Sequence, residues 1–409
     1  MRSVPRPQGR VGPAAGRAAI LMRMTRPQLA VTVATRIYAP EGSAAAFRLR
    51  ALVAALDAAG YRTTVFTSQP RARVPSTPRV RRLPVLRDRS GAVRGYVQYA
   101  SFDIPLFFRL LFGPRADLIA VEPPPTTGVV VRVVAGLRRT PYAYFAADVS
   151  HVAAAGIGVN PLVVAVLRRV ERWVLRGAAL VLAVSDGVRN EMLDLDVRAE
   201  RVTVVGSGID TEQFSPNGPL AAADYPYLVY AGTMSEIQGA SVLIEAFAKV
   251  AGEFPRVRLR MFGSGVNVEK LKTLAERLAQ GRVDFPGAVG GLELATWLRG
   301  AHAGLASMAP ERGYLFAHAT KAFATLGCGT PVIYAGDGVT ADVIAEHSLG
   351  WVVAWDVDEV AAAMRAALSA EPTGAHRSRY SAWVERNFSL GAVGTAAVAA
   401  IDGTIAARA

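Results

Sequence analysis

The sequence predicts an α/β protein in which two doubly wound parallel sheets lie in one chain. Three observations predict it. From residue 29 onward, short apolar runs of strand length alternate with longer helical runs. The alternation breaks near residues 216–226, where Pro216, Asn217, Gly218, Pro219 and Pro226 cluster, and then starts again. In the second half the strands run into glycine-bounded turns, such as Gly232–Gly239 and Gly263-Ser264-Gly265. Strands separated by helices can pair only in parallel, so each half reads as a Rossmann-like unit.

Leu29–Ala34 reads as a buried strand. Ala44–Leu56 is helical, because Phe47, Leu49, Leu52, Val53 and Leu56 fall on one stripe. Arg62–Thr67 is the next strand. After a basic, proline-containing segment come an apolar stretch (Ile104–Phe112), a strand (Asp117–Val121), a helix (Thr126–Leu137) and a strand (Pro141–Phe145). A long helix, Pro161–Arg176, leads to strand Ala179–Val184. The second unit opens with strand Tyr227–Ala231 and a helix to about residue 251. Strands Val257–Phe262, Arg282–Phe285, Ala303–Ala306 and Pro331–Tyr334 follow, each separated by a helix. These readings divide the chain into a basic extension (1–28), a first domain (29–215), a linker (216–226), a second domain (227–390) and a final helix (391–409) that packs back on the first domain.

Composition narrows the function. Half of the 409 residues are apolar, enough for large cores, and no run of 18 residues is apolar throughout. Cys328 is the single cysteine, which excludes an internal disulfide or a cysteine zinc cluster and suits the cytoplasm. The five histidines show no metal-ligand spacing, so neither a metal nor a cofactor is expected. The net charge of +13 is concentrated in two places. Residues 1–28 hold six arginines and no acid, and read as disordered. Residues 70–95 hold eight arginines and one acid, Asp88. Neither segment interleaves basic and aromatic residues as a nucleic-acid surface does, so nucleic acid is not an expected partner. An anionic membrane surface or a phosphorylated acceptor fits these charges better. The apolar run Ile104–Phe112, bounded by Arg109 and Arg115, reads as a core helix or as an edge dipping into a membrane interface.

The segment Thr320–Tyr334 carries the most chemistry. It reads as a helix opening on Thr320, stopping at glycine and entering a buried strand. Thr320 is placed to cap free N–H groups, and Lys321 sits in the first turn, where a cation opposes the helix dipole unless an anion joins it. That arrangement suits a phosphate. An ordinary helix-to-strand connection with an exposed lysine is the plainer reading of the same residues.

The motifs in order resemble those of the GT-B glycosyltransferases, in particular retaining transferases of family 4, over about residues 29–390. The resemblance is nearest to the branch of amino-sugar transferases of cell-envelope and O-antigen synthesis. It rests on Tyr38–Ser43, Asp148, Ala183–Val188, Val204–Pro216, Tyr230-Ala231-Gly232-Thr233 with Gln238-Gly239, Phe262–Gly265 and Gly327–Ile333. It implies an acceptor-side first domain, a nucleotide-sugar-binding second domain and a cleft between them. The partners it implies are a nucleotide-sugar donor and a glycan or lipid-linked acceptor, with the protein cytoplasmic or peripheral on the inner face of the plasma membrane. The donor-binding residues it implies are Gly232, Thr233, Gln238, Gly239, Gly263, Gly265, Glu311, His318, Thr320 and Lys321. Gly42 and Ser43 fall on the acceptor side, with Asp148 and His151 as catalytic candidates.

The chain departs from the family in four places, the first being Val149-Ser150-His151 after Asp148, where the branch it resembles usually has Leu-Trp-Pro. Ser207 stands where an asparagine is usual. Thr233 and Gln238 stand where many members carry an arginine and a lysine. The paired glutamates that hold the donor sugar and the ribose correspond to Phe316 and Ala324. The expected function is sugar transfer from a nucleotide diphospho-sugar to a hydroxyl acceptor with retention. A sugar-nucleotide epimerase of the same fold, or a partner protein that has lost the donor site, remain the alternatives. His302, His347 and His376 are expected to be structural or exposed, and Glu346 a solvated acid.

Overall fold

In a computed structural model of the chain the described residues are 29–408 apart from 42, 89–92, 94, 157, 311–314, 316, 317 and 371–373. The expected disordered extension, Gly42, Glu311 and Phe316 therefore lie outside the described residues.

Two parallel sheets form as the alternation requires. The first contains β1 (Ala30–Ala34), β2 (Arg62–Ser68), β3 (Val80–Leu83), β4 (Leu118–Val121), β5 (Tyr142–Ala146), β6 (Leu180–Ala183) and β7 (Val202–Val204), in the order β3-β2-β1-β4-β5-β6-β7. The second contains β8 (Tyr227–Ala231), β9 (Arg258–Phe262), β10 (Val283–Gly287), β11 (Ala303–Ser307), β12 (Val332–Ala335) and β13 (Gly350–Val353), in the order β10-β9-β8-β11-β12-β13. Central strands such as β1, β4, β5 and β6 are buried along their whole length, which is why they read as continuous apolar runs. Strand order reverses between β1 and β4, and again between β8 and β11. A ligand crevice opens at the carboxyl ends of strands at such reversals.

Several elements differ from the sequence reading, which named neither the edge strand β13 nor helix Ser150–Gly156. β3 falls inside the basic segment, to which that reading gave no element. It is an edge strand, so its arginines reach solvent or neighbouring loops without crossing a core. The helix expected at Ile104 begins at Tyr96 and runs to Phe112. Its first turn is exposed at Tyr96 and Val97, so no apolar period marks its start.

The two domains are joined twice. The chain leaves β7 through Gly206-Ser207-Gly208, and it returns through Phe388 after helix Gly374–Phe388. The two passages meet at Ile209. Its N–H donates to the Phe388 carbonyl at 2.8 Å, and its carbonyl accepts the Leu390 N–H at 2.8 Å. Buried Arg299 ties the outgoing strand to the second domain by donating to the carbonyls of Gln213, Ser215 and Pro219.

Helix Leu390–Ala406 then packs on helix Ala44–Ala58 of the first domain. Tyr61 donates to Asp402 across this contact. At the closest approach a side chain on Gly394 would stand 2.9 Å from the Ala51 carbonyl oxygen and 3.0 Å from the Ala55 methyl. Gly403, on the same helix, faces open space. Gly394→Val is expected to destabilise the fold by about 1–3 kcal/mol through overpacking. Gly403→Ala is expected to stabilise it by about 0.4–1 kcal/mol through the unfolded chain. Urea unfolding of the two variants checks the pair; equal effects would show that the helix contact is not tight.

Candidate active site

The site lies between the domains. A cavity of about 400 Å³ is lined from the second domain by Gly232, Thr233, Gln238, His318, Thr320, Lys321 and Ala324, and from the first domain and the linker by Ala44, Phe47, Ile209, Asp210 and Phe214. A larger groove of about 650 Å³ runs beside the outer edge strand β10. It gathers no comparable set of converging polar groups, so the interdomain cavity is the better candidate.

Lys321 dominates the cavity. It sits in the first turn of helix Thr320–Gly327. Its Nζ lies 3.0 Å from the Tyr230 hydroxyl and 4.7 Å from the centre of the Tyr230 ring. Among the described residues no carboxylate pairs with it. Burial pushes its pKa from 10.5 down to about 7. Gly232 makes room for the lysine stem, since a side chain there would come within 2.8 Å of Lys321 Cε, and its φ of +154° favours glycine. Gly263 serves the same loop from behind: a Cβ on it would stand 2.0 Å from the Gly232 carbonyl oxygen.

Thr320 does not cap its helix. The N-cap is Ala319, whose N–H donates to the Thr340 hydroxyl at 2.9 Å, and no side chain accepts from the first turn. Thr320 is instead the first helical residue and faces the cavity beside Lys321. In the opposing domain Ser43 does cap, accepting from the Ala46 N–H at 3.2 Å, so helix Ala44–Ala58 also starts at the cavity. The Gly232–Gly239 loop is held firmly. Tyr230 donates to the Thr233 carbonyl, Ser307 to that of Gln238 and Trp355 to that of Gly239. Gly265 packs behind it, against the Met234 carbonyl.

His318 lines the cavity with its ring edge-on to Phe323 and Phe388. Its Nδ1 has no partner among the described residues. Burial pushes its pKa down to about 4, against the opposing pull of Asp186 from the first domain. It is therefore a neutral imidazole near pH 7. Asp210 is the one acid lining the cavity among the described residues, and it is engaged by Arg50 at 3.2 Å and by the Gln213 N–H.

Asp148 and His151 stand apart from this cavity, at the carboxyl end of β5. Asp148 is half-buried, and its Oδ1 accepts the Val149 N–H at 2.8 Å. Burial raises its pKa, and Glu171 raises it further while Arg48 opposes. His151 turns its Nδ1 to Glu171 at 2.7 Å. Arg48 and Glu122 form a buried pair nearby at 3.8 Å. Sequence reasoning missed Glu171 and Arg48, and it named Tyr230 and Asp210 only as parts of motifs and Phe47 only as part of a helical stripe, none of them as a site residue. Each lies within an ordinary strand, helix or turn pattern and acquires its neighbours only on folding. His347, His376 and Glu346 are exposed and His302 is half-buried, in keeping with the plainer readings of them.

Residues 43–208 match the family model described as glycosyl transferase 4-like domain, and residues 225–370 match that described as glycosyl transferases group 1. Together they span most of the chain, so that its first half is similar to the one glycosyltransferase domain and its second half to the other, on a fold of two facing Rossmann-like domains of the GT-B kind. Among solved structures, sucrose-phosphate synthase from Thermosynechococcus elongatus superposes with a TM-score of 0.75 at 18% identity, covering 93% of this chain and 100% of that one. Anabaena HepE in complex with UDP gives 0.68 at 17% identity, covering 92% and 100%. A D-inositol 3-phosphate glycosyltransferase of Frankia alni is 28% identical over 202 residues, 45% of this chain and 48% of that protein. The gpi3 subunit of the Schizosaccharomyces pombe phosphatidylinositol N-acetylglucosaminyltransferase is 25% identical over 176 residues, 41% and 36% of the two. The chain thus spans about half or less of the length of the curated relatives it matches.

Lys321 supplies a prediction with a definite sign. In the unfolded chain it holds its proton up to about 10.5, and in the unliganded fold only up to about 7. The unfolded state therefore binds more protons between these values, and unliganded stability should rise with pH across that window. An anion in the cavity should restore the proton. UDP binding above pH 7 is then expected to take up protons, seen as a dependence of calorimetric heat on buffer ionisation enthalpy. Lys321→Ala should abolish that dependence and weaken UDP by about 1.5–3 kcal/mol, roughly tenfold to 150-fold in Kd. Unchanged affinity in a folded variant would reduce Lys321 to a packing residue.

Proposed function

We propose that this protein transfers a sugar from a nucleotide diphospho-sugar to a hydroxyl of a lipid-linked or cell-envelope glycan, with retention and without a metal. The observation that carries the reading is Lys321, a buried lysine at a helix start, which faces a cavity where Asp210, already engaged by Arg50, is the one acid among the described residues. As the glycosidic bond breaks, negative charge grows on the leaving diphosphate. Lys321, the uncapped first turn of Thr320–Gly327 and the hydroxyls of Thr320 and Thr233 face that charge. Gln238 and the neutral His318 offer hydrogen bonds to the sugar. Asp148, outside the cavity at the carboxyl end of β5, is the group assigned to the acceptor hydroxyl, and the rise that burial gives its pKa suits it to receive a proton. HepE, crystallised with UDP, supports a donor of this kind. Retention, the lipid-linked acceptor and the amino-sugar branch rest on the motif resemblance alone.

Calorimetry with UDP, GDP and dTDP, each with and without EDTA, tests the donor half. One nucleotide is expected to bind equally well in both conditions. Loss of binding in EDTA would remove the metal-free part. Absence of binding by all three would favour a partner protein without a donor site, the reading that Ala324 supports.

The position at a membrane surface rests on helix Tyr96–Phe112. Its buried stripe is Phe102, Leu106 and Leu110, while Ile104, Phe108 and Phe112 point to solvent, with Phe108 stacked on Phe112. Exposed Arg109 and Arg115 flank them. Among the described residues no helix is long and apolar enough to cross a membrane. The arginine-rich segment contributes less than its charge implies. Arg79 pairs with Asp57, Arg82 donates to the Ala39 carbonyl, and Arg87 donates to the Gln69 carbonyl and pairs with Glu41. Replacing Phe108 and Phe112 together by serine is expected to weaken co-sedimentation with phosphatidylglycerol vesicles at least roughly tenfold, since each buried ring is worth about 1.5–3 kcal/mol. Unchanged sedimentation would detach the helix from any membrane role.

A further inference from the structure

The first domain holds a buried acid–histidine pair that the reading above does not use. Glu171 lies in the outer helix Pro161–Gly177 with its side chain 1% exposed. A carboxylate so placed is costly unless its oxygens are satisfied. Oε1 accepts the Ser150 N–H at 2.9 Å, and Oε2 accepts the His151 N–H at 3.2 Å and faces His151 Nδ1 at 2.7 Å. Ser150 and His151 open helix Ser150–Gly156. Glu171 thus caps a helix from a different element and pins the far end of the turn that follows β5. Asp148 stands in that turn, two residues before Ser150, with Oδ1 on the Val149 N–H.

The charged and titratable groups around this turn come from several elements. Glu171 acts on Asp148 from the outer helix, Arg48 from helix Ala44–Ala58, and the Tyr144 hydroxyl from β5. Glu191, on helix Asp186–Asp194, faces His151 from the other side. Among the described residues, Glu171 is the one that bonds to both the backbone and the imidazole of the turn.

We propose that Glu171 is a positioning residue for sugar transfer: through His151 and the two N–H groups it fixes the turn that presents Asp148 to the acceptor hydroxyl. This rests on the role given to Asp148 in the proposed function. Glu171→Gln keeps the shape but removes the charge and one acceptor. The assay is hydrolysis of UDP-, GDP- and dTDP-glucose with water as acceptor, followed across pH. Nucleoside diphosphate affinity is measured on the same samples. In Glu171→Gln the nucleotide Kd should stay within about twofold, because the cavity is untouched, while kcat falls roughly tenfold to a hundredfold from misplacement. The acidic limb of kcat should move to lower pH, because Asp148 loses a neighbouring negative charge. Asp148→Asn should lack that limb. A wild-type kcat with an unmoved limb in Glu171→Gln overturns this proposal and leaves the donor site standing. A wild-type protein that binds none of the nucleotides overturns the transferase reading and this proposal with it. If Glu171→Gln is insoluble, His151→Gln, which leaves both backbone N–H groups on the carboxylate, decides the matter. Reduced kcat at unchanged Kd supports the positioning role, and full kcat overturns it.

Discussion

One residue, Ile209, holds the two passages between domains together. Its amide and carbonyl both bond to the returning chain, at Phe388 and Leu390. Two hydrogen bonds are a small energy, about 0.5–1.5 kcal/mol each, but their place gives them leverage. They fix where the linker crosses, and Asp210, Gln213 and Phe214, which follow at once, line the cavity. The same crossing aims helix Leu390–Ala406 onto the first domain. Domain spacing, cavity shape and the closing of the first core all follow from this junction.

The two walls of the cleft are built on opposite electrostatic plans. The second domain presents a buried lysine whose neighbours are a phenol and glycines. Burial lets it shed its proton near pH 7, and an anion in the cavity would restore it. The first domain hides a network in which Asp103, Glu122, Asp148 and Glu171 accompany Arg36, Arg48 and His151. There the charges are largely answered within the protein. One wall is poised for an anion, and the other is prepared to hold a carboxyl in a fixed place.

Much of this was legible in the sequence, and the reasons differ by element. The central strands showed themselves because burial on both faces demands unbroken apolar runs. Lys321 showed itself because a cation in a first turn conflicts with local electrostatics. β3 was hidden because an edge strand tolerates arginine. The start of helix Tyr96–Phe112 was hidden because Tyr96 and Val97 are exposed and Tyr99 packs under the Arg36 guanidinium, so no apolar period marks the first turn. Thr320 misled, because a hydroxyl beside a helix start reads as a cap while the backbone places it one step inside. Glu171 was illegible for a deeper reason. In its helix it is one acid among arginines, and its partners sit some twenty residues earlier.

The return of helix Leu390–Ala406 also has a consequence for synthesis on the ribosome. In connectivity the second domain is an insertion within the first. Helix Ala44–Ala58 lacks the packing of Leu390–Ala406 until the second domain has been made and the chain has crossed back at Ile209. The first domain to be translated is therefore the last to be completed. Its exposed apolar face must be tolerated through the making of its neighbour, a vectorial burden that the order of domains along the chain does not reveal.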